Sequence, residues 1–457
     1  MKIPPHQRLT LANGVKLVLL PRHEVPLIAF DAVVRGGARL DPASHGGVAS
    51  VTAELLTRGA GDRDSYAFAD AVEGAGGSLE AGAHAEAIAL HGQFLSRDSG
   101  LMLELLADAL QRPRFEPEEL EGVLERRIEF IKAAKDSEPQ SLIGYYGRSL
   151  LFGSHPFGKP IGGSERSLAQ LTAPDLKQYY RQHIGADRLT LVVAGDFDPL
   201  SLQAVIASRF GGWEGARAAL PPLPSPERVH GRRVLLVDAP GSVQTYFWIG
   251  NVGVARSFPL RAALEVTATA FGGSFGSMLM QALRVKHGLT YSASSSFRRG
   301  SVPGEFAIGS FTETEATAQA VTIALETLDA LKRDGAGARS LESAKSYILG
   351  QYPLSLETSA DWAAALADLD LYDLPDSHID DFTDALRAVD ESQSRSVIES
   401  AFPDSSNVDI VLIGDAARIR AEAAAFGPVI EKSLAAPDFQ IPAHEERVRA
   451  ARADRAR

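Results

Sequence analysis

A repeat constrains this chain more than any other feature. Near the end of the first half stands Leu191-Val192-Val193-Ala194-Gly195-Asp196, and near the end of the second half Ile410-Val411-Leu412-Ile413-Gly414-Asp415. The two Gly-Asp pairs are 219 positions apart. Strand-like runs at residues 16–20 and 233–237 open the two halves, 217 positions apart. Agreement this close implies one structural unit used twice, and self-similarity of this kind limits the fold before local propensity is consulted. Between the halves, four of residues 220–226 are proline. Proline fixes φ and lacks an N–H, so the segment reads as a stiff, extended linker. The expected organisation is a first domain over residues 1–219, a linker over 220–231, a second domain over 232–441 and a charged, alanine-rich tail over 442–457. A chain of 457 residues also exceeds one core at about 100–200 residues per domain.

Within the first half, β-rich segments come first, at residues 17–20, 27–34 and 87–95. Helical patterns follow over 101–110, 117–135 and 168–183, then a strand over 191–194. The 117–135 pattern carries glutamates early and lysines late, as the helix dipole favours. Strands and helices segregate into separate layers, so the expected class is α+β: two similar domains, each an antiparallel-rich sheet covered on one face by helices.

Composition removes several function classes. The chain has no cysteine, which excludes disulfides, thiolate nucleophiles and Cys-ligated metal clusters. Its formal charge is −12, without the basic footprint of a nucleic-acid binder. No apolar run reaches the roughly 18–20 residues of a membrane span, and residues 1–20 hold no signal-peptide core. A native start implies a cytoplasmic protein, whereas removal of a signal peptide would place it in the periplasm.

Two segments carry candidate chemistry. The first, residues 36–59, runs from a strand through a glycine-containing loop (Gly46-Gly47-Val48-Ala49) into a helix bearing Ser50, Ala53 and Glu54. The second, residues 271–291, is a glycine-rich turn, then a helix from about residue 277 that stops at Gly288, then a strand over 291–297; it contains Arg284 and Tyr291. Gly288 suits the position just past a helix end, and Lys286 and His287 suit its last turn. The string Gly272-Gly273-Ser274-Phe275-Gly276 matches a nucleophile-elbow pattern, but that motif needs a strand before it, and residues 262–271 read as helix. His45 sits in a loop without a second ligand at metal-binding spacing. His84 and His91, seven residues apart, fall on opposite faces of a strand. His155 belongs to a turn set by Pro156, Gly158 and Pro160.

Here the sequence resembles the pitrilysin/insulinase family of zinc peptidases, including its processing-peptidase-like bacterial members. In that family a His-x-x-Glu-His helix supplies two ligands at i and i+4 and a catalytic Glu at i+3, all on one helical face. The resemblance implies that the first His falls on Ser50, the Glu on Ala53 and the second His on Glu54, with the third ligand, a Glu, roughly at Glu129. Zinc takes three N, O or S ligands and an open position, so no metal is expected here, and Ser50 to Thr57 is read as the polar side of an ordinary helix. The resemblance also implies that Arg284 and Tyr291 match the pair that binds peptide and stabilises the reacting carbonyl. Weaker similarity extends over residues 9–15, 151–160, 171–176 and 195–196.

The combination implies a non-catalytic subunit of a heterodimeric zinc metallopeptidase. It would bind extended peptide and supply Arg284 and Tyr291 in trans to a homologous subunit that carries His-x-x-Glu-His and the zinc. This chain itself would need no cofactor, and would contact neither nucleic acid nor membrane. The alternative is a peptide-binding or scaffold protein of the same fold; an autonomous zinc peptidase would need unorthodox ligands.

Overall fold

The computed structural model describes residues 2–441, so the tail expected over 442–457 lies outside the described residues. Among the described residues, twelve strands form two six-stranded sheets. The first contains β1 (Gln7–Thr10), β2 (Lys16–Pro21), β3 (Leu27–Arg35), β4 (Ser78–Ala83), β5 (Ala87–Leu95) and β6 (Leu189–Gly195), in the order β1-β2-β6-β3-β5-β4. The second contains β7 (Arg233–Asp238), β8 (Gln244–Val252), β9 (Ala293–Arg298), β10 (Glu305–Glu313), β11 (Asp409–Gly414) and β12 (Val429–Ser433), in the order β12-β7-β11-β8-β10-β9. The repeat is visible in the register. The opening strand of each half pairs in parallel with the Gly-Asp strand, Leu17 beside Leu191 and Leu235 beside Val411. That strand then pairs antiparallel with the next, Ala32 against Leu191 and Trp248 against Val411. Only the outer strand differs: β1 joins by an antiparallel hairpin, β12 in parallel. The linker residues 220–230 form neither helix nor strand.

Five helices shape the packing and the sites: α1 (Val48–Leu55), α2 (Pro117–Ser137), α3 (Ile143–Phe152), α4 (Ala173–His183) and α5 (Ser359–Leu371). The expected single helix over 168–183 is broken. Asp175 accepts hydrogen bonds from the backbone N–H and hydroxyl of Thr172, and with Pro174 in the first turn this box starts a new helix.

The division into compact units is not contiguous. Among the described residues, one unit holds 2–130, Ile161–Pro222 and Ser346–Ala388; the other holds Ile131–Pro160, Leu223–Lys345 and 389–441. The halves read from the sequence supply the two sheets, but each sheet takes a helix from the other half. In the first unit, Trp362, Ala363, Leu366 and Leu369 of α5 pack on Val18, Leu20, Val192 and Ala194. Those residues alternate with Leu17, Leu19, Leu191 and Val193, which are equally buried on the opposite face. The central strands are therefore covered on both faces, not one, and read as continuous apolar runs for that reason. The polar rim of α5 is tied to the first strands: Asp370 accepts from Lys16 and Thr190, and Asp373 receives the Arg35 guanidinium at 2.7 Å.

In the second unit, α3 lies on β8 and β11. The contact is backbone against ring: a Cβ on Gly147 would stand 2.7 Å from the Trp248 indole. Arg233 fixes the edge of this packing, bridging Asp409 and the Leu150 carbonyl.

One buried group opposes folding. Asp31 lies on β3 opposite His91, and its Oδ1 has no hydrogen-bond partner among the described residues. Burial pushes its carboxyl up to about 6; His91 works against the shift and Asp368 adds to it. A carboxyl raised in the folded state favours folding below its unfolded value and loses that advantage as pH rises through about 6. Asp31→Asn is therefore expected to stabilise the first unit by about 1–3 kcal/mol at pH 7 and to give no gain at about pH 3.5. Calorimetric melting at the two pH values checks this. Gly147→Leu is expected to cost the second unit about 1–3 kcal/mol, read as a lowered melting transition.

Candidate functional site

The first candidate is built on α1. After β3 the chain turns through Gly36 and Gly37, both at positive φ, and buried Asp41 accepts from the N–H groups of Gly47 and Ala49 at 2.7 and 3.1 Å. That carboxylate satisfies the start of α1 and complements its dipole. Gly47 itself has φ of 95° and lies against the backbone of Gly163, a position closed to a side chain. The helix is not the polar surface strip that the sequence suggested: every residue from Val48 to Leu55 except Glu54 is buried.

Ser50 and Glu54 share a face, as their spacing requires, and one side chain takes both. Arg127, on α2, donates Nε to Glu54 Oε2 at 2.9 Å and Nη1 to Ser50 Oγ at 2.9 Å. Its Nη2 lies 2.8 Å from Glu54 Oε2 and donates to the Ser50 carbonyl at 3.3 Å. Arg126 and Arg58 approach the other carboxylate oxygen at 3.5 and 3.8 Å. Ala53, fully buried, offers a methyl group where a base would be needed. Glu129 is exposed on α2, and it is Arg127 that reaches the motif. A hydroxyl, one carboxylate and a guanidinium do not suit zinc, which takes neutral imidazoles, thiolates or carboxylates; the fixed positive charge already answers Glu54.

Sequence reasoning missed Arg127. It stands 73 positions after Glu54 in a run of charged residues, and no local pattern distinguishes it from Arg126.

The second candidate is wound as π-helix. Thr269–Gly273 and Met280–Lys286 both have that form, which is rare and concentrates at functional sites. The segment ends as expected at Gly288, with φ of 65° and its N–H bonded to the Arg284 carbonyl at 3.0 Å. Ser274 follows a π turn, not a strand, so no nucleophile elbow forms. Tyr291 falls two residues before β9 rather than within it. It is 72% exposed and Phe275 is 63% exposed. The Arg284 guanidinium carbon lies 4.4 Å from the Tyr291 ring centroid and 5.0 Å from that of Phe275. The structure thus brings Arg284 and Tyr291 together and adds Phe275. Aromatic rings supply no oxygen acceptor, so the guanidinium keeps its N–H donors available. Among the described residues Arg284 makes no ion pair or side-chain hydrogen bond, and the Tyr291 hydroxyl has no hydrogen-bond partner.

Comparison with known proteins agrees with this anatomy. Residues 20–157 match the model of the insulinase peptidase family M16, and residues 170–348 match the model described as the peptidase M16 inactive domain. The chain belongs to this insulinase (M16) family. It is 28% identical over 361 residues to a protein of Mycobacterium leprae described as an uncharacterized zinc protease, covering 79% of this chain and 81% of that one. It is 25% identical over 358 residues to a Helicobacter pylori protein named a non-peptidase homolog, covering 77% of this chain and 81% of that one. In fold it is similar to the crystal structure of a peptidase M16 inactive domain from Pseudomonas fluorescens, with TM-score 0.84 and 23% identity over 90% of this chain and 98% of that one.

Arg127→Met should leave Glu54 and Ser50 without their shared partner and lower the stability of the first unit by about 1–2 kcal/mol. Arg127→Lys should recover only part, because an ammonium cannot span both oxygens as the fork does. Melting of the three proteins side by side reads the difference.

Proposed function

We propose that this chain is the non-catalytic subunit of a heterodimeric zinc peptidase, holding an extended peptide and acting on it with Arg284 and Tyr291 while a homologous partner bearing His-x-x-Glu-His contributes the metal. The observation that carries the reading is an asymmetry between two arginines. Arg127 is consumed inside the motif face, bonded to Ser50 and Glu54. Arg284 is held only by aromatic faces.

The chemistry open to this chain comes from those groups. Extended peptide can add main-chain hydrogen bonds along a sheet edge; β4 and β9 are the corresponding edge strands of the two sheets. The Arg284 fork donates in-plane hydrogen bonds to the peptide carbonyl, and the Tyr291 hydroxyl donates one more. Donors fixed before the reaction stabilise charge as it develops on the carbonyl oxygen. Phe275 packs against the guanidinium, its ring centroid 5.0 Å from the guanidinium carbon. Zinc on the partner would activate the attacking water. No helix among the described residues is long and apolar enough to cross a membrane, and the proposed work needs none.

The test is reconstitution. The chain alone should not hydrolyse peptides, and addition of the partner subunit should confer hydrolysis. In that mixture Arg284→Ala should lower kcat/KM by about 10²–10³, with a smaller loss for Tyr291→Phe, and neither should change the melting temperature. Undiminished turnover in both variants defeats the assignment. Turnover by this chain alone would revive the autonomous peptidase, and a chain that binds peptide but activates no family member would be a scaffold.

A further inference from the structure

The first unit carries two adjoining cavities that none of the chemistry above uses. One, of about 270 Å³, lies between the loop before α1 and helix α4, lined by His45, Asp175, Gln178 and Gln182 among others. The second, of about 330 Å³, is lined by Gln178, Gln182, Arg181 and Arg217. The two share Gln178 and Gln182, so together they form one groove along α4 with a carboxylate at one end and two guanidiniums at the other.

The groups in this groove are unspent. Asp175 gives one oxygen to Thr172. Its other oxygen faces His45 Nε2 at 3.8 Å, too far for a hydrogen bond, so it can still accept. His45 is turned by Ser44, whose hydroxyl lies 2.7 Å from Nδ1. Among the described residues, Arg181 and Arg217 make no ion pair, and the side chains of Gln178 and Gln182 make no hydrogen bond. An acid early and a base late in α4 are ordinary complements to a helix dipole. That does not account for Arg217, which comes from the segment beyond β6 and lines the same end as Arg181.

We propose that this groove binds a short zwitterionic peptide of about three residues, its free ammonium at Asp175 and its free carboxylate at Arg181 and Arg217. The length follows from geometry. Asp175, Gln178 and Gln182 lie on one face of α4, and the six steps from Asp175 to Arg181 rise about 9 Å at about 1.5 Å each. Three extended residues cover about the same distance. The two glutamine amides, each with a donor and an acceptor, match the main chain between the ends. This site shares no residue with the Arg284–Tyr291 pair and stands or falls without it.

Calorimetric titration of the full chain with trialanine, N-acetyl-trialanine and trialanine amide tests the proposal. Trialanine should bind saturably with 1:1 stoichiometry, and blocking either end should weaken binding at least about fivefold. Arg217→Gln should weaken trialanine about three- to fivefold, leave the affinity for trialanine amide unchanged, and leave the melting temperature unchanged because the side chain is exposed and unpaired. Equal affinity for all three peptides overturns the proposal. So does the absence of saturation at about 10 mM peptide, or an Arg217→Gln variant that still distinguishes acid from amide as the parent does.

Discussion

Burial of the two sheets' central strands rests on helices that arrive from the opposite half of the sequence. Val192 and Ala194 find their partners in α5, and the face of β8 finds its partner in α3. Without those helices each sheet would leave one apolar face in water, at about 25 cal/mol for every Å² uncovered. The polar contacts around them, Lys16 and Arg35 to Asp370 and Asp373, and Arg233 to the Leu150 carbonyl, fix the angle at which each helix lies. Apolar contact drives the packing and the polar rim sets its register.

The same division between filling and steering runs through the sites. On α1, Ser50 and Glu54 are locked by Arg127, and the helix serves as packing. Around Arg284 the opposite holds. A π-helical stretch, an exposed phenol and an exposed phenyl ring are poor choices for stability alone, and local consistency commonly gives way where a surface has to meet something.

Much of this could be read from the residues. The duplication, the strands at 27–34 and 87–95 and the stop at Gly288 all follow from short-range pattern. What could not be read depended on long-range contact. Nothing within residues 131–160 announces that they pack with the second unit, because an amphipathic helix shows which face is apolar but not which sheet will cover it. Arg127 was hidden for a related reason: the partner of a fixed charge is chosen by the fold. The break between residues 168 and 173 was legible in principle, since Thr172, Pro174 and Asp175 are start signals for a helix, but the apolar periodicity masked it.

The helices α3 and α5 begin 216 positions apart, close to the spacing of the repeat itself. They are the same element in two copies, and each copy has handed its own to the other. A single ancestral half could not have closed its sheet alone; it would have had to trade this helix with an identical molecule, as domain-swapped dimers do. With each sheet closed by a helix from the other half, cutting the proline-rich linker would leave each fragment dependent on the other to cover its sheet.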